Sequence, residues 1–347
     1  MSIWQVKAGD GERDYSNVFL QFGVMLIGSG DEGDYRKHKK EYETTREYRQ
    51  FADKDDDEFA KEGDLVVLKR PCEGSKWAAK AVGKITSGYS WRRVFSDVEN
   101  YSLQHCRQVE WKLPTRERPV PGLGRGGGVF AHVNDERARK EVKRLWKEGK
   151  RQPAEPIPHE PEELTLEELA NSLTAGGLLR ERAKDITDEI RSLQNLGNWY
   201  YDYEDDEDLD VGEHEARTFL VVPLIKSLGW DEKQVRIEWD YRDVVLFDRP
   251  FSGRSKPLVI IETKRLGDGL SGAPEQAEDY AESHLTCDRL VVTDGIRYKL
   301  FTKRPRFGGW SFSHYLNVLT PTRDHPYNPD VAGAVSFLLK MLPKGAM

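Results

Sequence analysis

The sequence PLVIIETK (residues 257–264) decides the fold of the C-terminal half of the chain. Its four consecutive apolar residues, at positions 258–261, predict a strand that is buried on both faces. The strand ends in Glu262 and Lys264, although unpaired charges are costly away from water. Residues i and i+2 of a strand point to the same face, so this carboxylate and this ammonium are expected to face one space.

A second acid lies on the preceding predicted strand. The stretch VRIEWDYRDVVLFD (residues 235–248) places Asp243 in an apolar context and predicts a strand or hairpin. Two carboxylates on adjacent strands can hold Mg²⁺ through oxygen and leave positions for water and a phosphate. A lysine beside them can orient or deprotonate the attacking water, or neutralise charge on the phosphate. The pattern therefore favours metal-dependent hydrolysis of a phosphodiester.

Asp243 followed by Glu262-x-Lys264 resembles the PD-(D/E)xK nuclease superfamily. The surrounding motifs are similar to those of the nuclease domain of type I restriction enzymes, and they span roughly residues 210–345. These motifs are Glu213-x-x-x-Arg217, Pro223-Leu-Ile, Leu228-Gly-Trp230, Asp243-Val-Val-Leu, Gln276-x-x-x-Tyr280 and Val292-Thr-Asp-Gly295. One departure is Arg242, which stands where the family has a proline before the metal-binding acid.

The resemblance implies a reaction and a role for each matching residue. Mg²⁺, with Mn²⁺ able to substitute, would be held by Asp243, Glu262 and the carbonyl of Thr263. Lys264 would position the water for in-line attack. Glu213 would bind a second metal or lie in the outer shell of the first, and Glu215 is the competing acid on the same helix. Gln276, on the helix after the central strand, is a further catalytic candidate. The alternation of strands and helices independently predicts an α/β core with a mixed sheet over residues 210–347.

Composition limits the class of protein. The net charge is −7, so overall charge does not predict nucleic-acid binding, and local basic patches matter more. The three cysteines lack metal-ligand spacing, which favours a reducing, cytoplasmic setting.

The sequence shows no signal peptide and no apolar run of about 18 residues, so membrane insertion is not expected. The glycine-rich stretch at 122–128 lacks the Gly-Lys-Ser/Thr ending of a phosphate loop, so no nucleotide cofactor is expected.

Residues 1–113 predict a mostly β unit with a charged helix over residues 42–59. Strands are expected at residues 3–6, 22–27, 64–69, 78–85 and 108–111. The unit is similar to the EVE/PUA-like β-barrel of modification-dependent restriction systems. The motifs that carry this similarity are Trp4, Gly23-Val-x-x-Ile-Gly28, Gly63-Asp64-Leu-Val-Val, Ala81-Val-Gly83-Lys-Ile and Val109-Glu-Trp111. The resemblance implies binding of a single extruded nucleotide, often one with a modified base.

A flipped base needs aromatic faces for stacking and polar groups for its edge. The segment GYSWRR (residues 88–93) offers Tyr89 or Trp91 for stacking, and Arg92 and Arg93 for phosphates. The preceding loop offers Ser29 and Asp31 for the base edge. The alternative for these aromatic residues is the barrel core, to which Trp4 and Trp111 are assigned.

The middle of the chain predicts two linking segments. Residues 114–163 form a Pro- and Gly-rich connector with a basic helix over 135–147, capped by Asn134. Its basic side is either a solvated face or a surface that follows phosphates. Residues 164–209 form a helical linker that starts with a capping box at Thr165. A narrow apolar seam on its second helix suits packing on the nuclease core or on a second copy of the chain.

The sequence thus predicts a multidomain α+β and α/β protein that cleaves double-stranded DNA bearing modified, methylated or hydroxymethylated, cytosine. One active site per chain predicts a homodimer for double-strand cutting, and the expected role is defence against foreign DNA. Two alternatives remain open at this point. One is a DNA-binding protein whose nuclease-like core is inactive, and the other is a nuclease directed at RNA.

Overall fold

The computed structural model describes residues 1–9, 14–28, 33–42, 45–54, 59–72, 76–99, 101–117, 119–124, 128–202, 211–267, 270, 286–304 and 309–344. The chain divides into two compact units, Met1–Glu160 and Pro161–Met347. Each unit is built around one sheet with helices, so the mixed α+β character expected from the sequence is confirmed.

The first unit contains a curled, half-barrel sheet of eight strands. They are β1 (Ile3–Lys7), β2 (Val24–Ile27), β3 (Leu65–Cys72), β4 (Lys76–Ile85), β5 (Ser90–Trp91), β6 (His105–Leu113), β7 (Phe130–His132) and β8 (Lys150–Arg151). The order is β2-β6-β4-β3-β1-β7, and β5 and β8 also pair with β6. Strands β1 and β3 are parallel, and the other pairs are antiparallel.

Three α-helices accompany this sheet: α1 (Ser16–Phe22), α2 (Arg46–Ala52) and α3 (Glu136–Glu148). The strand expected from residue 22 begins only at Val24, because Gly23 adopts the left-handed conformation (φ 59°) and ends α1. The charged helix expected over 42–59 is shorter, since α2 begins at Arg46. The N-cap of α3 is Asp135 rather than Asn134, because the Asp135 carboxylate accepts from two backbone N–H groups.

The structure places the first boundary at residue 160 rather than at 113. Helix α3 buries Ala138, Val142 and Leu145 in the same core as residues of β3 and β4. Further along, β8 pairs with β6, and the Glu155 N–H donates to the Gln21 carbonyl at 2.7 Å. The expected connector is therefore largely part of the first unit, because its apolar residues complete that unit's core.

The second unit contains a six-stranded mixed sheet. Its strands are β9 (Val235–Trp239), β10 (Arg242–Phe247), β11 (Pro257–Thr263), β12 (Arg289–Thr293), β13 (Arg297–Lys303) and β14 (Trp310–Asn317). They follow the order β14-β13-β12-β11-β10-β9, in which only β11 and β12 are parallel. Every residue of β11 is buried, as its apolar sequence predicts.

Helices cover this second sheet. They are α4 (Leu166–Ala175), α5 (Arg180–Asp202), α6 (Glu213–Ala216), a π-helical turn (Arg217–Val221), α7 (Val222–Ser227) and α8 (Ala334–Met341). The capping box at Thr165 and Glu168 is confirmed. The apolar seam of α5 lies in the same core as β10 and β11. The expected linker helices thus belong to the second unit, and the seam packs within that unit.

None of the helices in the described part of the chain is long and apolar enough to cross a membrane.

Candidate functional site

Asp243 and Glu262 lie on neighbouring strands of the second sheet. Strands β10 and β11 are antiparallel with Val244 opposite Ile261, and the same register sets Asp243 opposite Glu262. Directly opposed residues of an antiparallel pair point to the same face of the sheet. Burial raises the pKa of Glu262, and the charges of Asp243 and Glu213 add to that rise. The two carboxylates therefore lie on the same face of the sheet, where β10 begins and β11 ends.

Lys264 follows β11 and contacts one of these acids. Its Nζ donates to Oε1 of Glu262 at 2.8 Å. Burial lowers the pKa of Lys264, but its bond to Glu262 and the charges of Glu213 and Asp243 outweigh that effect and raise the pKa. Lys264 is thus held as an ammonium. A cation of this kind suits donating to water or neutralising a phosphate better than removing a proton.

The carboxylate of Asp243 is fixed by three donors. Its Oδ1 accepts from Nη1 of Arg217 at 2.7 Å. Its Oδ2 accepts from both the backbone N–H and the hydroxyl of Thr263, each at 2.7 Å. The sequence assigned only the carbonyl of Thr263 to the site, so the role of its side chain was not anticipated. Together these contacts hold the carboxylate in one orientation.

Arg217 links Asp243 to the neighbouring hairpin. Its side chain is only 5% exposed, and Nη2 donates to Oε1 of Glu238 at 2.8 Å and contacts Nδ1 of His214. Arg217 begins the π-helical turn, and such turns occur frequently at functional sites. The sequence showed only its i+4 spacing from Glu213 and gave no sign of the contact with Asp243.

The structure separates the two candidate helix acids. Glu213 contributes to the charge that acts on Glu262 and Lys264. Oε1 of Glu215 instead accepts from the Tyr200 hydroxyl at 3.0 Å, toward α5. Glu213 is therefore the acid on the site side of α6.

The apolar positions of the same helix also differ from expectation. The sequence predicts that Phe219, Leu220, Pro223 and Leu224 face the sheet. Phe219 is instead 52% exposed, whereas Leu220 and Leu224 are buried and Pro223 is half-buried. The wider π-helical turn changes the rotation of successive side chains, which the ordinary helical period does not predict.

The donor set limits what kind of metal could bind. Within the described residues, no group of three or more His, Cys, Asp or Glu is arranged to hold an ion. Mg²⁺ in phosphate chemistry is held by one or two carboxylates, several waters and substrate oxygens. Asp243 and Glu262 fit that smaller requirement and would hold the ion, while Asp243 also accepts from Arg217 and Thr263. Gln276, the remaining catalytic candidate, lies outside the described residues.

In the first unit, Tyr89 is anchored by its hydroxyl. This hydroxyl donates to Oδ1 of Asp34 at 3.1 Å, accepts from the Tyr35 N–H at 3.2 Å and lies 3.0 Å from Nδ1 of His105. Burial is the main cause that raises the pKa of Tyr89. The Arg36 guanidinium lies over the ring, 5.4 Å from its centroid. Tyr89 is thus half-buried and oriented, with a cation already on one face.

The other base-reading candidates lie nearby in sequence but in different environments. Trp91 belongs to the short strand β5 and meets the His105 ring edge-on at 5.0 Å. Nε of Arg92 is buried and has no hydrogen-bond partner among the described residues. Arg93 is exposed and opens a 3₁₀ turn that runs to Phe95. Tyr89 and Trp91 thus both contact His105. Of the two arginines, Arg92 has a buried Nε and Arg93 is exposed.

Two further expectations concern the barrel itself. Trp4 and Trp111 are each 1% exposed, so their assignment to the core is confirmed. Their indole N–H groups donate to Asp64 and to the Val24 carbonyl. Ser29 and Asp31, assigned to the base edge, lie outside the described residues.

Part of the chain matches a family model. Residues 4–126, which lie within the first unit, match the model of a domain of unknown function (DUF8426). No curated protein matches the chain.

Proposed function

We propose that this chain is a Mg²⁺-dependent endonuclease that cleaves DNA carrying modified cytosine. The observation that carries the proposal is the shared position of Asp243, Glu262 and Lys264 at the end of adjacent strands. Two carboxylates with one ammonium beside them provide the charges that phosphodiester hydrolysis requires. The PD-(D/E)xK resemblance of these residues supports the same reaction.

Each residue has a distinct task in this proposal. Bound Mg²⁺ supplies Lewis acidity and an activated water. Asp243, Glu262 and the carbonyl of Thr263 are the groups that would hold it. Lys264, held as an ammonium, donates to the attacking water or to a phosphate oxygen, while Glu213 adds negative charge from α6. The water oxygen would form a bond to phosphorus as the P–O bond opposite it breaks. The proton of the water would pass to solvent, and the leaving oxygen would take a proton from solvent.

The first unit would select the DNA. Its resemblance to EVE/PUA-like barrels supports recognition of an extruded base, methylated or hydroxymethylated. Tyr89 and Trp91, which both contact His105, would provide aromatic surface for that base. Arg92 and Arg93 would meet the backbone phosphates. Cutting both strands with one site per chain would require two copies, so the active form would be a homodimer.

The test is digestion of DNA that carries cytosine, methylcytosine, hydroxymethylcytosine, glucosylated hydroxymethylcytosine or methyladenine, with and without Mg²⁺. The wild-type chain should cleave a modified substrate only with the ion. Lys264→Ala should lower the rate at least about 10³-fold, because it removes charge stabilisation at the reacting phosphate. Lys256→Ala, at an exposed turn position, is the matched control and should leave the rate unchanged.

Two results would contradict separate parts of the proposal. Equal rates for Lys264→Ala and the wild type would remove the proposed hydrolysis at this site. Cleavage of unmodified DNA as fast as any other substrate would remove the base-reading role and leave the nuclease intact. Degradation of RNA beside intact modified DNA would favour an RNA-directed nuclease.

A DNA-binding protein with an inactive nuclease-like core is the second candidate. The observation that favours it is the saturation of Asp243, whose two oxygens already accept from Arg217 and Thr263. In that case the DNA panel would be bound but not cleaved at any Mg²⁺ or Mn²⁺ concentration.

A further inference from the structure

A half-open cavity of about 510 Å³ lies in the first unit, beside the C-terminal end of α2. Five cationic side chains border it: Arg36, Lys39, Lys54, Lys61 and Arg107. Two carboxylates, Asp53 and Glu62, also border it. Among the described residues of the wall, cations thus outnumber acids, although the whole chain carries a net charge of −7.

Arg107 provides the buried charge in the cavity wall. The residue is only 3% exposed, and its Nε donates to the Phe51 carbonyl at 2.7 Å. No other described residue accepts a hydrogen bond from this guanidinium. Burial lowers the pKa of Arg107 to about 10, so it remains charged at neutral pH. The charges of Glu62 and Asp64 favour the charged form of Arg107. Its Nη groups have no acceptor among the described residues, so a ligand that enters the cavity from outside can provide one.

Three other cations of the cavity lie over aromatic rings. Arg36 lies over Tyr89 at 5.4 Å, Lys39 over Tyr35 at 5.8 Å and Lys61 over Phe59 at 5.1 Å from the ring centroid. All three rings also border the cavity.

Such contacts limit the directions in which a cation can point, so part of the positive charge is held in place before a ligand arrives. Arg36 and Lys39 are additionally paired with Asp34 and Asp53, whereas Lys54 and Lys61 are exposed.

We propose that this cavity binds a phosphate group, carried by a free nucleotide or by a nucleic-acid strand. A guanidinium with several free N–H donors matches the oxygens of a phosphate, and the surrounding lysines match its charge. An uncharged ligand would leave the exposed charges of Lys54 and Lys61 unmatched. The cavity shares Tyr89 with the proposed base-binding site, but Trp91, Arg92, Arg93 and the carboxylates of the second unit do not border it. The proposal therefore adds a phosphate-binding role beside base reading, and it is independent of cleavage.

Binding is measured by calorimetry on the full chain carrying Lys264→Ala, without Mg²⁺, so that cleavage cannot interfere. The probes are pyrophosphate, dAMP and a short single-stranded oligonucleotide with or without a 5′-phosphate. We expect saturable binding of pyrophosphate and dAMP. The double variant Lys54→Met/Lys61→Met should weaken it at least about 10-fold, since each charged contact contributes substantially. Arg107→Met should weaken it further.

Lys84→Met, which removes an exposed cation of β4 outside the cavity, is the control and should bind as the parent does. The double variant decides the result even if Arg107→Met fails to fold, because Lys54 and Lys61 are exposed.

Displacement of dAMP by the 5′-phosphorylated oligonucleotide would support a nucleic-acid strand as the source of the phosphate, and no displacement would support a free nucleotide. No saturable binding, or equal affinity of the double variant and the Lys84→Met control, would overturn the proposal. Neither result depends on whether the second unit cleaves DNA.

Discussion

Two clusters of polar side chains, one in each unit, are built in different ways. In the second unit, the carboxylate cluster of Asp243, Glu262, Lys264 and Arg217 joins opposite charges at the end of two strands. In the first unit, the aromatic cluster joins hydroxyls and ring nitrogens in an apolar setting; its members are Tyr35, Tyr42, Tyr48, Tyr89 and His105. The first arrangement depends on charge neutralisation. The second depends on ring contacts and on hydroxyl hydrogen bonds, two of which go to carboxylates: Tyr89 donates to Asp34, and Tyr35 donates to Asp53.

This difference determines which of the two clusters can be recognised from the sequence. Within the carboxylate cluster, Asp243, Glu262 and Lys264 follow from strand alternation and register, since residues two apart on a strand share a face. Arg217 lies in the π-helical turn and does not follow from this pattern. Members of the aromatic cluster come from positions 35–105, and packing brings them together. A cluster of the second kind has no spacing that a sequence would reveal.

The substitution with the largest expected effect on stability tests whether charge neutralisation stabilises the carboxylate cluster. Arg217→Met should lower the free energy of unfolding by about 3 kcal/mol, since removing one partner leaves the other charge poorly compensated. The side chains of Arg217 and Asp243 are 5% and 20% exposed, so solvent screens this pair only in part. Urea denaturation of the full chain measures the change.

Lys226→Met is the matched control for that variant. Lys226 pairs with Glu232, but both side chains are more than half exposed. Exposed ion pairs contribute about 0–1 kcal/mol, so a much smaller change is expected. Equal effects of the two variants would show that burial does not distinguish the carboxylate cluster from an ordinary surface pair.

A second prediction extends the comparison to a buried histidine of the second unit. His325 lies among Phe312, Tyr315 and Tyr327, and its Nδ1 accepts from the backbone N–H groups of Tyr327 and Asn328. Burial, with a smaller contribution from Lys299, lowers its pKa from 6.5 to about 3. The folded state therefore binds fewer protons than the unfolded state between these values.

Stability should consequently fall as the pH drops below about 6.5, because the unfolded histidine gains a proton that the folded one excludes. About 2 kcal/mol should be lost between pH 7 and pH 5 through this residue. The measurement is urea denaturation at both pH values, with His325→Asn as the non-titrating variant. If both chains lose equal stability on acidification, His325 is not the source.

The smallest effect is expected for the aromatic cluster. Tyr89→Phe removes the hydroxyl that contacts Asp34 and His105, and it leaves the Tyr35 N–H without this acceptor. The loss should be about 1.5 kcal/mol, the lower end of the range for hydrogen bonds to a charged group such as Asp34. Tyr241→Phe is the control, because Tyr241 is 91% exposed. A loss above that of Arg217→Met would reverse the order of the two clusters.

Much of the second unit could be predicted because its signals are local. The apolar run of β11, the opposed acid on β10 and the capping box at Thr165 all depend on short-range periodicity or spacing. The contact between Arg217 and Asp243 could not be predicted, since it joins a π-helical turn to a strand 26 residues away.

The first unit was harder to predict for the same physical reason. Five of its strands were placed to within a few residues, with β2 delayed by the left-handed Gly23, but the short strands β5, β7 and β8 were not predicted. The cavity around Arg107 was missed, because its cations lie in several loops and strands and appear in sequence as ordinary surface charges.

By itself, the sequence determined the positions of the main strands and helices and the convergence of Glu262 and Lys264 on one face. Tertiary structure alone decided that residues 114–160 complete the first unit, that the α5 seam packs within the second, and that Arg107 borders a cavity. The secondary structure of a segment, and the face to which each of its side chains points, follow from the periodicity within that segment. Burial and the choice of charged partner depend on which distant segments pack together.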